Sequence, residues 1–303
     1  MKEIDLQTIT HIHFIGVGGI GISAIARMMA LLGKKVTAND LDEFEAVAAL
    51  RAFGVDTSIG TTIDLIPSNT ELVVYSIAWN TLAPDLLKHV KERGIPMLSY
   101  PEILRVVSKE KYTIAVSGTH GKTTTTAMIA KVLIDAHLDP TVVVGSFLQK
   151  EKSNFIAGKS NYFVVEACEY RRSFLHIHPN ILVITNIDDD HLDYYKDIAD
   201  IQSAFKELAS RLSSTDFLIC DPHDKRVAPV LSDLLCTVLD YTSVEGFSDI
   251  KLPGVHNKKN AAAALIVAGI LGVEKITALT SVSYTHLRAH ETKANLVCRL
   301  LLE

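Results

Sequence analysis

The sequence predicts an α/β protein in which an N-terminal Rossmann-like domain with a parallel sheet precedes a P-loop ATP-binding α/β domain. Two observations predict it. Short unbroken apolar runs alternate with segments of helical period, the pattern of parallel strands covered on both faces. A strand, a glycine-rich loop and a helix also follow one another twice, at Gly16–Gly21 and at Gly118–Lys122, as in two nucleotide-binding domains in series.

In chain order, His11–Ile15, Val36–Ala38, Leu72–Ser76, Tyr112–Val116, Thr141–Val144, Tyr162–Val165, Ile181–Thr185 and Asp216–Cys220 read as strands. Ile20–Leu32, Glu43–Phe53, Ala83–Arg93, Lys122–Ala136 and Ile198–Leu212 read as helices. A short amphipathic segment opened by Pro101 and the charged run Lys109–Lys111 mark the domain boundary. The expected division is 1–108, 109–280 and an atypical tail, 281–303.

Composition excludes several classes. Hydrophobic residues fill 48% of the 303 positions and charged residues 21%, which rules out a disordered or fibrous chain. A net charge of −5 offers no basic field for nucleic acid or an anionic membrane. The longest strongly apolar stretch, Ala261–Val273, is shorter than the roughly 20 residues of a membrane span. The polar N-terminus lacks a signal-peptide apolar region. Four cysteines without a CxxC pair read as free thiols of a reducing compartment. The expectation is a soluble cytoplasmic protein with no nucleic-acid and no membrane partner.

The first loop, Gly16-Val17-Gly18-Gly19-Ile20-Gly21, fits G-x-G-x-x-G between a strand and a helix. Glycines there let backbone N–H groups approach a diphosphate at a helix N-terminus. Asp40 ends the next strand, where a dinucleotide fold places its ribose-binding acid. The pattern leaves open whether the ligand is NAD or another nucleotide diphosphate. His11 and His13 read as strand residues sharing one face, not as a metal pair.

The second loop, Ser117-Gly118-Thr119-His120-Gly121-Lys122-Thr123-Thr124, is a variant P-loop, with Val116 where the general pattern has its first glycine. Lys122 supplies a point charge for the β/γ-phosphates and Thr123 a hydroxyl for Mg2+. Glu166 ends a later strand, and Asn186, Asp188 and His191 follow another. Strand C-termini form the ligand edge of a parallel sheet, so these groups point to a second Mg2+ position or a phosphate contact. Part of the Asp188–Asp190 run reads as a helix N-cap. His176 and His178 read as a solvated turn beside Pro179. Asn257 and Asn260 precede an alanine-rich helix, where they would cap it or read an adenine edge.

GTHGKTTT (Gly118–Thr125), the Glu166 strand end, TNIDDDHLDYY (Thr185–Tyr195) and PGVHNKKNAAAAL (Pro253–Leu265) occur in the order and approximate spacing of the Mur ligases. The resemblance covers roughly residues 10–280. The opening HIHFIGVGGIGISAIA (His11–Ala26) resembles the members that add L-alanine to UDP-N-acetylmuramate.

The resemblance implies that Gly16, Gly18, Gly19 and Gly21 cradle a UDP diphosphate, with Asp40 and Ser76 lining that pocket. It implies that Gly118, Thr119, His120, Gly121, Lys122, Thr123, Thr124, Asn257 and Asn260 bind ATP. It assigns Mg2+ to Thr123, Glu166 and His191, and the catalytic work to Lys122, Glu166 and His191. The implied chemistry is amide formation through an acyl phosphate, with ATP and Mg2+ as cofactors and UDP-N-acetylmuramate and L-alanine as substrates.

Two departures stand out. Glu166-Ala167-Cys168-Glu169-Tyr170-Arg171 replaces the E-A-D-E-S-D usual in alanine-adding members. Cys168 removes an acid, and Tyr170 resembles the tripeptide-adding recycling members. The family also carries a third domain that binds the amino acid. Only about 30 residues follow the alanine-rich helix, so the chain reads as a truncated form. Ser283–Glu303, with His286 and His290, resembles nothing in the family and reads as foreign sequence. The alternatives are a tripeptide-adding ligase, an NAD-dependent oxidoreductase, against which the P-loop argues, and a non-catalytic nucleotide-binding protein.

Overall fold

The computed structural model describes residues 4–148, 153–244 and 254–283. The tail from position 284 onward, with its histidines His286 and His290, lies outside the described residues. Contacts divide the chain into two compact units that meet in sequence at Glu110 and Lys111.

The first unit runs β1 (His11–Ile15), α1 (Ile20–Leu31), β2 (Lys35–Asp40), α2 (Glu45–Ala52), β3 (Asp56–Ile59), β4 (Leu72–Tyr75), α3 (Trp79–Leu82), α4 (Pro84–Glu92), β5 (Met97–Ser99) and α5 (Tyr100–Glu110). Its sheet has the order β3-β2-β1-β4-β5, and all four pairings are parallel. Every residue of β1 is buried, because helices cover both faces of a parallel sheet. The chain reverses its direction of strand addition between β1 and β4. Loops after these two strands therefore flank the crevice where such sheets bind ligands.

The second unit runs β6 (Tyr112–Ser117), α6 (Lys122–Asp135), β7 (Thr141–Leu148), β8 (Ser153–Ile156), β9 (Tyr162–Glu166), β10 (Ile181–Ile184), α7 (Ile198–Ala209), β11 (Phe217–Cys220), β12 (Thr237–Asp240), α8 (Val255–Ile270) and α9 (Lys275–Ser283). Its sheet order is β12-β11-β10-β6-β9-β7-β8. Among the described residues only the β7–β8 pairing is antiparallel. Strand β6 lies between β9 and β10, with Val116 opposite Glu166 and Ser117 opposite Ile184. The two acid-bearing strand ends are thereby set on either side of the P-loop.

Helices α6 and α8 share one core cluster, to which Ala127 and Ala130 of the first and Ala261–Ala264 of the second contribute. Small side chains at both surfaces let the two axes approach closely. The apolar run that is too short for a membrane is this buried helix. No described helix is long and apolar enough to cross a membrane.

The elements expected from apolar runs are present. Strands β3, β5, β8 and β12 fall outside that expectation; β5 has only three residues, and for β3 and β12 exposure is the reason. The residues Asp56–Ile59 and Thr237–Asp240 are all half-buried or exposed, so neither carries an apolar run. Three cap and turn readings are corrected. The N-cap of α7 is Asp197, which accepts from the Asp200 amide at 2.9 Å, not a member of Asp188–Asp190. The N-cap of α8 is Gly254, so Asn257 and Asn260 lie inside the helix. His176 and His178 are half-buried, not a solvated turn.

His11 and His13 are buried at 2% and 0% exposure. They share the β1 face with Ile15 and belong to a polar ladder. His11 Nε2 lies 3.2 Å from Thr37 Oγ1, and His13 Nδ1 lies 2.8 Å from the same oxygen. His13 Nε2 meets Asn39 Oδ1 at 3.0 Å, and Asn39 Nδ2 donates to the Gly60 carbonyl at 2.8 Å. Since that amide nitrogen is committed to Gly60, Oδ1 accepts from His13 Nε2–H. Nδ1 of neutral His13 is then the acceptor for the Thr37 hydroxyl.

Burial pushes the His13 imidazole down to about 4. The unfolded chain therefore binds a proton that the folded chain refuses between about pH 6.5 and 4. Stability should fall as pH drops through this window. Urea unfolding across the window should show the fall reduced in His13→Gln, and an unchanged slope would contradict the assignment. In the second unit, Ala264→Leu should overpack the α6–α8 cluster and cost about 1–3 kcal/mol, read as a lower midpoint in the same titration.

Candidate functional site

In the first unit, the glycine loop leaves β1 at Gly16, whose amide donates to the Asn39 carbonyl at 2.9 Å. Helix α1 starts after Gly19 with no side-chain cap and no acid in its first turn. Its first amides and positive dipole end suit an anion. Gly19 has an ordinary helical-entry φ of −68°.

The other glycines are there for close approach. A Cβ on Gly16 would meet the Trp79 indole, one on Gly18 the Phe44 ring, and one on Gly21 the Tyr100 hydroxyl. Three aromatic side chains thus pack directly on the loop backbone, and sequence spacing gives no sign of them. Ser76 holds the neighbouring strand end, its amide donating to the Ile15 carbonyl at 2.9 Å. Asp40 is 4% exposed. Its carboxylate accepts from the Gly18 amide at 2.5 Å and from the Leu41 amide at 2.7 Å. Burial raises its pKa, opposed by these two amides. In this state Asp40 addresses the glycine loop itself.

In the second unit, β6 delivers the chain to the P-loop, and α6 leaves it from Gly121, which has φ of +85°. Val116 belongs to the buried strand, and Gly118, with φ of +127°, makes the turn. A Cβ at Gly118 would collide with the Thr185 hydroxyl and lie 2.7 Å from the Asn186 carbonyl oxygen. Only glycine fits that approach.

Asn186 clamps the loop from β10. Its Oδ1 accepts from the His120 amide at 2.9 Å, and its Nδ2 donates to the His120 carbonyl at 2.8 Å. The Thr185 hydroxyl donates to the same carbonyl at 2.6 Å. The Thr119 hydroxyl accepts from the Asp188 amide at 2.8 Å. Asp188 and Asp189 pair with Arg226, so these two acids brace a loop. The His120 side chain is exposed, and Thr124 is half-buried in the first turn of α6.

Lys122 Nζ donates to the Gly118 carbonyl at 2.5 Å, the Thr119 carbonyl at 3.2 Å and Glu169 Oε1 at 3.0 Å. Burial alone would lower the Lys122 pKa, but the adjacent Glu169 carboxylate outweighs it and holds the ammonium above its ordinary value. The Thr123 hydroxyl donates to Glu166 Oε2 at 3.0 Å, and the Gly145 amide donates to the same oxygen at 2.8 Å. Burial raises the Glu166 carboxyl, with the Gly145 amide, Lys122 and Thr123 pulling the other way.

His191, in a left-handed conformation with φ of +53°, places Nε2 3.8 Å from Glu169 Oε1 and Nδ1 4.0 Å from Asp190 Oδ1. Ligand atoms of Glu169, Asp190 and His191 all lie within 4.8 Å of one another. The sequence alone does not single out Glu169 or Asp190, although Glu169 is the second acid of Glu166-x-x-Glu169. Cys168 is accessible, yet the crowded protein around it and the Glu169 charge push its thiol up to about 11. It is a neutral group among acids.

Asn260, at 8% exposure, carries its amide from α8 to the P-loop, where Oδ1 is 2.8 Å from the position of a Cβ on Gly121. Asn257 is half-buried one turn earlier, and His256 is exposed. Lys259 anchors the start of α8 to Asp221, at the end of β11, at 3.1 Å.

The donor set fits a hard divalent cation. The Thr123 hydroxyl and Glu166 carboxylate are adjacent oxygens at the foot of the P-loop, whereas His191 groups with Glu169 and Asp190.

Comparison with known proteins agrees with this geometry. Residues 11–112 match the Mur ligase family catalytic domain, and residues 116–247 the Mur ligase middle domain. A UDP-N-acetylmuramate–L-alanine ligase of Clostridium kluyveri is 38% identical over 91% of this chain and 67% of its own length. That of Alkaliphilus metalliredigens is 37% identical over 90% and 65%. The chain thus spans about two thirds of the length of these relatives.

Among solved structures, the UDP-N-acetylmuramate:L-alanyl-γ-D-glutamyl-meso-diaminopimelate ligase of Neisseria meningitides superposes with a TM-score of 0.81 at 25% identity, covering 91% of this chain and 98% of that one. The UDP-N-acetylmuramate–alanine ligase of Thermotoga maritima gives 0.76 at 27% identity, covering 90% and 68%. On these matches and this geometry, the chain belongs to the Mur ligase family, ATP-dependent ligases that form an amide bond.

Proposed function

We propose that this chain carries the UDP-sugar-binding and ATP-binding units of a ligase that joins L-alanine to UDP-N-acetylmuramate in peptidoglycan precursor synthesis, in the cytoplasm. The observation that carries the reading is the P-loop of β6, with Lys122 and Thr123 set against Glu166, Glu169 and His191. The identity to alanine-adding relatives supports the choice of substrates.

The chemistry follows from the weakness of a carboxylate as an acceptor for an amine. A carboxylate oxygen attacks the γ-phosphorus of ATP, and ADP leaves. The amine nitrogen attacks the acyl carbon, loses a proton, and phosphate departs with the oxygen it activated. The residues contribute position and charge rather than a covalent nucleophile. Lys122 would hold the transferring phosphate, the P-loop amides the rest of the triphosphate, and Asn260 the adenine side. Thr123, Glu166 and His191 would hold Mg2+, which supplies neutralisation of phosphate charge when bound. In the first unit, the start of α1 at Gly19 would receive the UDP diphosphate.

Tyr170 favours a second reading, a tripeptide-adding ligase. Its hydroxyl donates to Asp193 at 2.9 Å and its ring lies 4.8 Å from that of His191, so the residue that departs from the alanine-adding pattern sits at the site. Product analysis with L-alanine and with tripeptide, in the presence of the family's amino-acid-binding domain, separates the two.

Two variants should act independently in calorimetry. Lys122→Ala should weaken Mg-ATP binding at least about tenfold and leave UDP-N-acetylmuramate binding unchanged. Gly19→Val, which fills the start of α1, should do the reverse. Loss of both ligands in either variant, or of neither, would count against the assignment of one ligand to each loop.

A further inference from the structure

Glu169 has no role in the expectations drawn from the sequence, yet it is a closely held acid of the second unit. It is 2% exposed. Its backbone carbonyl accepts from the Tyr195 hydroxyl at 2.5 Å and from the Arg172 amide at 2.9 Å, and Tyr195 is itself 1% exposed. The two following arginines, Arg171 and Arg172, are both left-handed, at φ of +51° and +56°. Such conformations cost free energy and persist where the surroundings over-determine them. Arg172 is held by Asp200 at 2.7 Å and Ser203 at 3.0 Å. The strained turn therefore fixes where the carboxylate stands.

The carboxylate stands on the P-loop lysine. An ammonium has three N–H donors, and all three of Lys122 are taken, by the carbonyls of Gly118 and Thr119 and by Glu169. The second carboxylate oxygen of Glu169 is also 3.0 Å from Nζ, and it is buried without a hydrogen bond of its own. A triphosphate gains this ammonium only by drawing it away from Glu169. The freed carboxylate then faces the incoming phosphates, with Glu166 against Thr123 of the same loop and Asp190 beside Glu169. Like charges so placed repel strongly at low local dielectric, unless a cation arrives with the nucleotide.

We propose that Glu169 is a positioning residue that parks Lys122 while the site is without nucleotide and makes the site select the metal-bound nucleotide over the free one. It acts through Lys122 and through the charge it leaves behind, without touching the reacting atoms. The inference rests on the ATP-binding reading above and extends it.

The test compares the affinity of the full chain for ATP in excess Mg2+ with that in excess EDTA, by displacement of a fluorescent nucleotide. Glu169→Gln preserves shape and an acceptor for Lys122 but removes the charge. It should tighten metal-free ATP and lower the Mg2+-to-EDTA affinity ratio at least tenfold. Glu169→Asp, which keeps the charge, should restore most of the parent ratio. A merely structural role would weaken both forms together and leave the ratio unmoved, and that result overturns the proposal. Should Glu169→Gln fail to fold, Glu169→Ser removes the charge with less bulk and is read in the same way. If the parent chain binds neither form, the ATP reading falls and the proposal with it. If the parent binds and the ratio is insensitive to residue 169, the proposal alone falls.

Discussion

Everything described in the second unit depends on β6 lying parallel between β9 and β10. Parallel strands end at the same edge of a sheet, so three different stretches of sequence finish side by side. One turns into the P-loop, one ends in Glu166, and one runs into Thr185–His191. The pairing of Val116 with Glu166 and of Ser117 with Ile184 sets the height at which each arrives. A slip of one residue would turn Glu166 to the opposite face of the sheet, away from Thr123. The chemistry is therefore fixed by register before any side-chain contact forms.

This dependence also explains what is legible in the sequence. Apolar strands, both glycine loops and the helices that follow them can be read directly, because each is a local pattern of burial or turn chemistry. Lys122, Thr123 and Glu166 are legible because their loop or strand end has a local signature, and Asn260 through the resemblance. Glu169 is not, since its importance comes from a strained turn and from Tyr195, far along the chain. Nor is the work of Asn186, whose side-chain amide grips both backbone groups of His120. The acidic run at 188–190 looks like a helix cap because caps and loop braces use the same residue types. The position of Arg226, against Asp188 and Asp189, and the cap at Asp197 tell them apart.

The two glycine loops are built differently. The first is crowded by rings and by Asp40, and its helix start carries no charged side chain. It relies on backbone dipoles. The second concentrates full charges of both signs in a small volume, Lys122 against the Glu169 and Glu166 carboxylates, with the neutral Cys168 thiol among them. A thiol held at about 11 adds no negative charge to this crowded site.

The indole packed on Gly16 has a further consequence. Trp79 is the one tryptophan of the sequence, and it is 2% exposed against the glycine turn. All of the protein's tryptophan emission therefore originates beside the first loop and none from the second unit. The molecule carries its own light source at one of its two sites. A change in packing at the first loop can be followed optically without a label, against a second unit that has no tryptophan.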